Sequence, residues 1–215
     1  MRAVEVNNLS VAYDSRCIIN NFTFTAEAGE SVLIRGPSGC GKSTFLHAVC
    51  GLIPASIKAE VSGEVLIFGK NIMELSIAAR AREIGIVFQN PETQLFCSNV
   101  EDEIAFGLEN LCFPREKIGL RINEILTLTG LEQYRLTAPK ELSGGQKQLL
   151  VLAAVLALDP KILLLDEALS QLDSNGKQAI KAQLQTLRDK GRTLLMADHG
   201  DELESVADRV VDLGT

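Results

Sequence analysis

Apolar and polar residues alternate at the start of the chain, as they do in a half-buried β-strand. Val4 and Val6 have polar neighbours, and a second stretch with Ile18, Phe22 and Phe24 follows a turn-like segment. This arrangement predicts two short antiparallel strands. We therefore expect the chain to begin with a small β layer.

Short apolar runs further along the chain predict strands that are buried on both faces. Residues 31–34 form a compact apolar strand that runs into a glycine-rich turn and then into a helix over residues 44–50. Residues 162–165 contain no polar side chain, as expected for a strand covered on both sides. Other strands are predicted over residues 61–68, 84–88, 194–197 and 209–213, and other helices from about residue 146 and over residues 174–190. Strands that alternate with helices in this way predict a parallel sheet between layers of helices.

The period of the apolar residues changes between residues 93 and 137. Ile118, Ile122, Ile125 and Leu126 recur at close to the spacing of a helix. We interpret this segment as a helical insert in the α/β domain.

Composition and charge narrow the class of protein. The chain has 21 Lys and Arg against 28 Asp and Glu, and a net charge of −7 disfavours a general surface for nucleic acid or anionic lipid. The longest apolar run, residues 149–158, is too short to cross a bilayer, and residues 1–10 do not resemble a secretory signal. The five cysteines form no C-x-x-C pair, which favours reduced thiols. We expect a cytoplasmic protein without a nucleic-acid partner.

A glycine-rich segment between a predicted strand and a predicted helix carries the main candidate site. It matches the phosphate-binding pattern G-x-x-x-x-G-K-[ST] through Gly36, Pro37, Ser38, Gly39, Cys40, Gly41, Lys42 and Ser43. The glycines let backbone N–H groups point inward, and the following helix adds the positive end of its dipole. Lys42 would neutralise the β- and γ-phosphates, and the Ser43 hydroxyl would coordinate Mg²⁺, which prefers oxygen ligands. His47, one helical turn further on, is expected to point away from this loop and to be structural.

Two carboxylates follow the buried strand at residues 162–165. Ligands of open α/β sheets bind at the carboxyl ends of the strands, which is where Asp166 and Glu167 lie. Asp166 would hold the Mg²⁺ shell beside Ser43, and Glu167 would orient or deprotonate the attacking water. A charged turn between strand and helix is the ordinary alternative for either residue taken alone.

Residues 142–146, spelled LSGGQ, have two compatible interpretations. Ser143 and Gln146 form a capping-box pattern, which predicts the start of a helix. The spelling also resembles the signature of the nucleotide-binding subunits of ABC transporters. A helix start with an exposed hydroxyl and glycine N–H groups is an anion site. In that family it binds the γ-phosphate of the ATP on the opposite subunit, so the resemblance implies a dimer.

The resemblance covers nearly the whole chain and implies its architecture. The implied fold is α/β, a P-loop NTPase of the ABC ATPase type with a RecA-like parallel-sheet core, a small N-terminal antiparallel β layer and a helical subdomain. We expect one domain over residues 1–215, with a core of about 1–92 and 138–215 and a helical subdomain of about 93–137.

The resemblance also implies roles for single residues. Tyr13 matches the aromatic residue that stacks on adenine, Gln89 the glutamine between core and insert, and His199 the switch histidine near the γ-phosphate. Each has an ordinary alternative: an edge-strand aromatic, a loop amide and a locally satisfied loop histidine. The expected nucleotide contacts outside the phosphate loop are Tyr13, Thr44, Gln89, Ser143, Gly144, Gly145, Gln146 and Asp173. The expected metal ligands are Ser43, Gln89 and Asp166, and the expected catalytic residues are Lys42, Glu167 and His199.

Within this family, residues 88–96 and 100–107 are similar to the ATPase subunits of energy-coupling factor importers for vitamins and for cobalt or nickel ions. An acidic face over residues 101–103 would receive a basic helix of a membrane subunit, although a solvated acidic face is an equal alternative.

We therefore expect an ATPase with ATP and Mg²⁺ as cofactors. Its expected partners are a second ABC ATPase subunit, identical or related, and integral membrane transporter subunits that place it on the inner face of the cell membrane. A soluble ABC-type ATPase acting on DNA or ribosomes is the alternative, and the acidic balance and compact insert argue against it. The membrane subunits would choose the substrate.

Overall fold

Nine strands and six helices make up the part of the chain that the structure describes. The computed structural model describes residues 1–170 and 172–213, so the parts of the expected domain at Gln171, Gly214 and Thr215 lie outside the described residues. The strands are β1 (Arg2–Tyr13), β2 (Arg16–Glu27), β3 (Ser31–Arg35), β4 (Glu60–Ile67), β5 (Lys70–Asn71), β6 (Ile84–Val87), β7 (Ile162–Asp166), β8 (Thr193–Asp198) and β9 (Arg209–Asp212). The helices are α1 (Lys42–Val49), α2 (Ile77–Glu83), α3 (Val100–Asn110), α4 (Arg115–Thr129), α5 (Gly144–Ala157) and α6 (Ser174–Asp189).

An antiparallel sheet of order β2-β1-β4-β5 forms one layer. Asp14 and Ser15 join β1 to β2 with positive φ angles of 44° and 67°, the conformation that a tight hairpin turn requires at both of its central positions. The prediction of an antiparallel β layer is confirmed. Its first two strands, of 12 residues each, are longer than the alternation predicted.

A parallel sheet of order β6-β7-β8-β3-β9 forms the centre of the fold. In β7, Ile162 and Leu164 pack into a core shared with the antiparallel layer, whereas Leu163 and Leu165 pack into a second core formed with the helices. This confirms a strand that is buried on both faces. Because all five strands run in the same direction, their carboxyl ends lie at one edge of the sheet.

The helical insert is confirmed as helical, since α3 and α4 lie between residues 93 and 137. Ile104 and Leu108 of α3 and Ile122 of α4 pack in the same core as Leu150 of α5. The insert therefore shares its core with the helices that cover the parallel sheet. The subdomain boundaries at about 93 and 137 stay a prediction.

Two elements have no counterpart in the sequence expectations, namely β5 and α2. Ser76 caps α2 by accepting a hydrogen bond from the N–H of Ala79, and Arg80 ties the helix to the carbonyl oxygen of Gly51. Across the described ranges 1–170 and 172–213, no helix combines the length and apolar character needed to cross a membrane.

Candidate functional site

The phosphate loop of residues 36–43 connects β3 to α1 and folds around its own lysine. Lys42 Nζ donates hydrogen bonds to the carbonyl oxygens of Gly36 at 2.8 Å and Pro37 at 3.2 Å, and the residue is only 4% exposed. Gly39 and Gly41 have φ angles of 82° and 108°, which favour glycine. The loop therefore has the curl that points backbone groups inward.

Gly36 is the tightest point of the loop. A Cβ atom at this position would lie 2.3 Å from the carbonyl oxygen of Leu213 and 2.7 Å from Cys40 Sγ. Only glycine fits between these atoms without a shift of the backbone. The exposed residues of the loop are Pro37, Ser38 and Gly39, and Thr44 is partly buried on α1.

Ser43 and Asp166 meet across the carboxyl edge of the parallel sheet. Ser43 Oγ donates a hydrogen bond of 2.8 Å to Asp166 Oδ1. Burial raises the pKa of Asp166, which is 5% exposed, and the hydrogen bond from Ser43 opposes that shift. The structure thus brings together two of the three oxygen-bearing side chains that the sequence predicts as metal ligands.

Glu167 lies at the centre of the remaining predicted residues. Its Oε1 is 3.3 Å from Lys42 Nζ, and its Oε2 accepts a hydrogen bond of 3.0 Å from Gln89 Nε2. His199 Nδ1 lies 3.8 Å from the same Oε2. The N–H of Glu167 donates to the carbonyl oxygen of Ala197, which fixes the carboxylate beside β8. Three residues from distant parts of the sequence therefore meet at the Glu167 carboxylate.

The expectation that His47 points away from this site is wrong. His47 Nε2 lies 3.8 Å from Asp166 Oδ2, on the other side of the carboxylate from Ser43. The signal was present in the sequence, because residues four apart share one face of a helix and His47 follows Ser43 by four. The imidazole packs edge-on against Phe88, and burial lowers the pKa of His47.

The capping box at the start of α5 is confirmed. Ser143 Oγ accepts from the N–H of Gln146, and Gln146 Oε1 accepts from the N–H of Ser143 at 2.8 Å. Ser143 and Gly144 are exposed. Among the described residues, no hydrogen bond or ion pair joins residues 143–146 to the phosphate loop, so the single chain does not bring these two predicted phosphate sites together.

The signature instead lies beside the start of α6. A Cβ atom on Gly145 would lie 3.3 Å from Gly176 Cα, so the two helices approach closely at this point. Asp173 caps α6, because its Oδ1 accepts a hydrogen bond of 2.8 Å from the N–H of Gly176. Asp173 and the signature thus share one region of the surface.

The segment that contains Gln89 is tied to α5. Lys147 Nζ lies 2.6 Å from the Glu92 carboxylate, and Gln148 Nε2 donates to the carbonyl oxygen of Phe88 at 3.2 Å. Gln148 is only 1% exposed. Residues on both sides of Gln89 therefore contact the helix that begins with the signature.

Tyr13 lies at the end of β1, in the hairpin that borders the phosphate loop. Ile18 and Ile19 of β2 are the nearest side chains to Gly41, at 3.1 and 3.3 Å from the position of a Cβ atom there. Tyr13 itself is partly buried against the core of the antiparallel layer. Its stacking on a base stays a prediction.

The acidic face expected over residues 101–103 does not form. Glu103 is 3% exposed and accepts hydrogen bonds from the backbone N–H groups of Phe96 and Cys97. Glu101 forms a two-pronged pair with Arg135, with both distances at 2.6 Å, and this contact lowers the pKa of Glu101. Asp102 is exposed, but its Oδ2 accepts a hydrogen bond of 2.7 Å from Asn99 Nδ2. All three carboxylates are therefore engaged within the chain.

Comparisons with known proteins show what this chain is similar to. The family described as "ABC transporter" matches residues 19–170. A putative ABC transporter ATP-binding protein of Pyrococcus abyssi is 41% identical over 98% of this chain and 77% of its own length. An energy-coupling factor transporter ATP-binding protein of Ligilactobacillus salivarius is 39% identical over 98% of this chain and 74% of its own length.

Two further comparisons concern the length of the relatives and the fold of the chain. The chain is 42% identical to a putative ABC transporter ATP-binding protein of Methanosarcina acetivorans, but it spans only 33% of that relative. The solved structure of cbiO1 from Clostridium perfringens, described as part of the ABC transporter complex cbiONQ, superposes with a TM-score of 0.86. It is 31% identical, and the match covers 99% of this chain and 84% of that one.

Proposed function

Because the chain belongs to the ABC transporter family as an ATP-binding subunit, we propose that it hydrolyses ATP to drive an energy-coupling factor importer. The importer would carry a vitamin or a transition-metal ion. Two relatives that match this chain over at least 74% of their own length support the proposal. One is an energy-coupling factor transporter ATP-binding protein, and the other is cbiO1, part of the ABC transporter complex cbiONQ.

The phosphate loop would bind the triphosphate of ATP. Its curled backbone and the amino end of α1 supply N–H donors, and Lys42 supplies a positive charge that is already desolvated. Lys42 would exchange the carbonyl oxygens of Gly36 and Pro37 for phosphate oxygens.

The donor set beside the loop fits Mg²⁺. Ser43 and Asp166 present a hydroxyl and a carboxylate 2.8 Å apart. Gln89 reaches the neighbouring Glu167 through its Nε2, and its amide oxygen would be the third ligand. Within the described residues, no group of three or more His, Cys, Asp and Glu side chains could hold a metal ion by itself. This agrees with a cation held jointly by few side chains and by phosphate, where it would neutralise phosphate charge.

Glu167 carries the proposal for hydrolysis. One oxygen of its carboxylate accepts a hydrogen bond from Gln89, and the other lies 3.3 Å from Lys42 Nζ. His199 Nδ1 lies 3.8 Å from the oxygen that Gln89 contacts. A carboxylate in this position can accept a proton from a water or orient it for attack on the γ-phosphate. His199 would donate a hydrogen bond to the γ-phosphate, and Lys42 would stabilise the charge that develops there.

A second ATPase subunit, a copy of this chain or a related one, would complete each site. Ser143 and the glycine N–H groups after it are exposed at a helix start and lie apart from the phosphate loop of their own chain. Such a helix start binds anions. It would therefore bind the γ-phosphate held by the opposite subunit.

We propose that an exposed aromatic pair on the insert contacts a membrane subunit. Phe96 and Phe106 are 64% and 44% exposed, and their ring centroids lie 4.6 Å apart. They border a cavity of about 150 Å³ between α3 and α5. Large apolar side chains exposed together mark an interaction site. This surface replaces the acidic face as the expected contact.

Substitution of Glu167 tests the proposed chemistry. Glu167→Gln keeps the size and the hydrogen bond from Gln89 but removes the proton acceptor, so hydrolysis is expected to fall by about 10²–10⁴-fold. ATP binding, followed by titration with a fluorescent ATP analogue, should be retained. The matched control is Glu109→Gln, an exposed carboxylate on α3. Undiminished turnover in Glu167→Gln would refute the assignment.

A further inference from the structure

Arg35 connects the phosphate loop to the segment that follows His199. It is the last residue of β3 and directly precedes Gly36. Its Nη1 lies 3.1 Å from the Asp201 carboxylate and 2.7 Å from the Glu204 carboxylate. One guanidinium thus contacts both ends of the segment over residues 201–204.

A third carboxylate holds this guanidinium in place. Arg35 Nε donates to Asp212 Oδ1 of β9 at 3.1 Å. Because the guanidinium is planar and its donors have a fixed geometry, a bond on Nε restricts where Nη1 can point. The contact with Asp212 of β9 therefore orients the Arg35 guanidinium towards the segment after His199.

Lys177 reaches the same segment from α6. Its Nζ lies 2.6 Å from the Glu202 carboxylate, and it follows the capping residue Asp173 by one helical turn. The segment is thus held between two cations, one beside the phosphate loop and the other beside the loop that follows Glu167.

The imidazole itself is weakly held. The side chain of His199 is 55% exposed, and its Nδ1 lies 3.4 Å from Asp198 and 3.8 Å from Glu167. Its position therefore depends on the backbone of its own segment. Exposed ion pairs of this kind contribute little to global stability, so their effect is expected to be local.

We propose that Arg35 and Lys177 are positioning residues that hold His199 against Glu167. The inference rests on the proposed function, in which Glu167 and His199 arrange the attack on the γ-phosphate. Removal of either cation would let the segment over residues 199–204 move and would misplace the imidazole without changing the phosphate loop.

Nuclear magnetic resonance on the isolated full chain tests the order of this segment. In Arg35→Ala, backbone order parameters over residues 199–204 are expected to fall from about 0.85 to below about 0.6. The chain has two histidines, so the imidazole signal of His47 serves as an internal reference for that of His199. Glu204→Gln weakens the same contact while keeping Arg35, which guards against a folding defect in Arg35→Ala.

Turnover measurements then test the consequence for the reaction. Arg35→Ala is expected to lower kcat about five- to tenfold while ATP affinity changes less than twofold, since a misplaced group costs the chemical step. Arg35→Lys should recover part of the loss. The matched control is Arg209→Ala, which removes an ion pair of 2.8 Å to Glu30 at a similar side-chain exposure, 42% against 34%.

Three outcomes decide between the proposals. A loss of backbone order over residues 199–204 together with a loss of kcat, neither of which occurs in Arg209→Ala, supports the positioning role. Unchanged order over residues 199–204, or lost order with kcat equal to that of the control, overturns it. If the wild-type chain does not hydrolyse ATP with its partner subunits, the proposed function fails, and the order parameters alone judge whether Arg35 holds the segment.

Discussion

Lys42 is buried between the carbonyl oxygens of its own loop and the carboxylate of Glu167. A desolvated ammonium in this position interacts strongly with a phosphate, because little water screens it. Lys42→Ala is expected to weaken ATP binding about 10- to 100-fold, in line with the loss of a hydrogen bond between charged groups. Titration with a fluorescent ATP analogue measures this change. Lys58→Ala, at an exposed position before β4, is the control, and equal affinities in the two variants would contradict the account.

Gly36 gives a prediction on stability at the same scale. Gly36→Ala would place a Cβ atom 2.3 Å from a backbone oxygen, so the loop or Leu213 must move. We expect a loss of about 1–3 kcal/mol in the free energy of unfolding, as for overpacked sites. Urea denaturation measures it.

Gly119→Ala is the contrasting variant, because no atom lies within 4 Å of the position of its Cβ atom within α4. It should raise the free energy of unfolding by up to about 1 kcal/mol, since alanine favours a helix. A Gly36→Ala variant as stable as Gly119→Ala would show that the loop is looser than the structure indicates.

At the scale of elements, Glu101 fixes the start of α3 to the loop that contains Arg135. The paired guanidinium lowers the pKa of this carboxyl below its ordinary value of 4.5. A lowered pKa means that the unfolded chain binds protons more readily than the folded one. The stabilisation is therefore full above about pH 4.5 and is lost as the pH falls through the folded pKa.

Glu101→Gln should accordingly reduce the free energy of unfolding by about 1 kcal/mol at pH 7, as for partly exposed pairs. The difference from the wild type should shrink as the pH is lowered towards 3. Urea denaturation at several pH values checks both points, with Glu109→Gln on the same helix as the control. A difference that stays constant down to pH 3 would rule out the ion pair as its cause.

The elements also show what the sequence can and cannot predict. The β7 strand and the phosphate loop are local patterns, in which an apolar run or a fixed spacing of glycines specifies the conformation. The helix α2 has no such pattern: Ile77 is 84% exposed, and the helix depends on its Ser76 cap and on Arg80, which bonds to Gly51. A long-range contact of this kind leaves no period in the sequence.

The same distinction applies to the site. Asp166 and Glu167 were predicted from their place after a buried strand, and the structure puts them beside Ser43 and Lys42. The expectation that Glu103 is exposed is wrong. Its carboxylate is buried because it accepts hydrogen bonds from backbone N–H groups six and seven residues earlier, a contact that the sequence pattern does not predict. The expectation for His47 fails for a different reason. Its spacing of four residues from Ser43 already places both residues on the same face of α1.

At the scale of the whole molecule, the chain carries two predicted phosphate-binding features in different parts of the fold. The phosphate loop contains Lys42, whose Nζ lies 3.3 Å from the Glu167 carboxylate, whereas the Ser143 helix start lies beside Asp173 and Gly176. The described residues give no contact between them. We therefore expect that one ATP is bound between two chains and that turnover requires both.

Light scattering on the Glu167→Gln variant tests this claim most directly. Hydrolysis is expected to be slow in that variant, so ATP should hold two chains together and raise the measured mass from 23.3 kDa to twice that value. Adding Ser143→Ala to the same variant should keep the mass at that of one chain, while ATP binding to the phosphate loop is retained. A mass that stays at one chain with saturating ATP, both for this chain alone and after a related ATPase subunit is added, or that doubles equally without the Ser143 hydroxyl, would contradict the account.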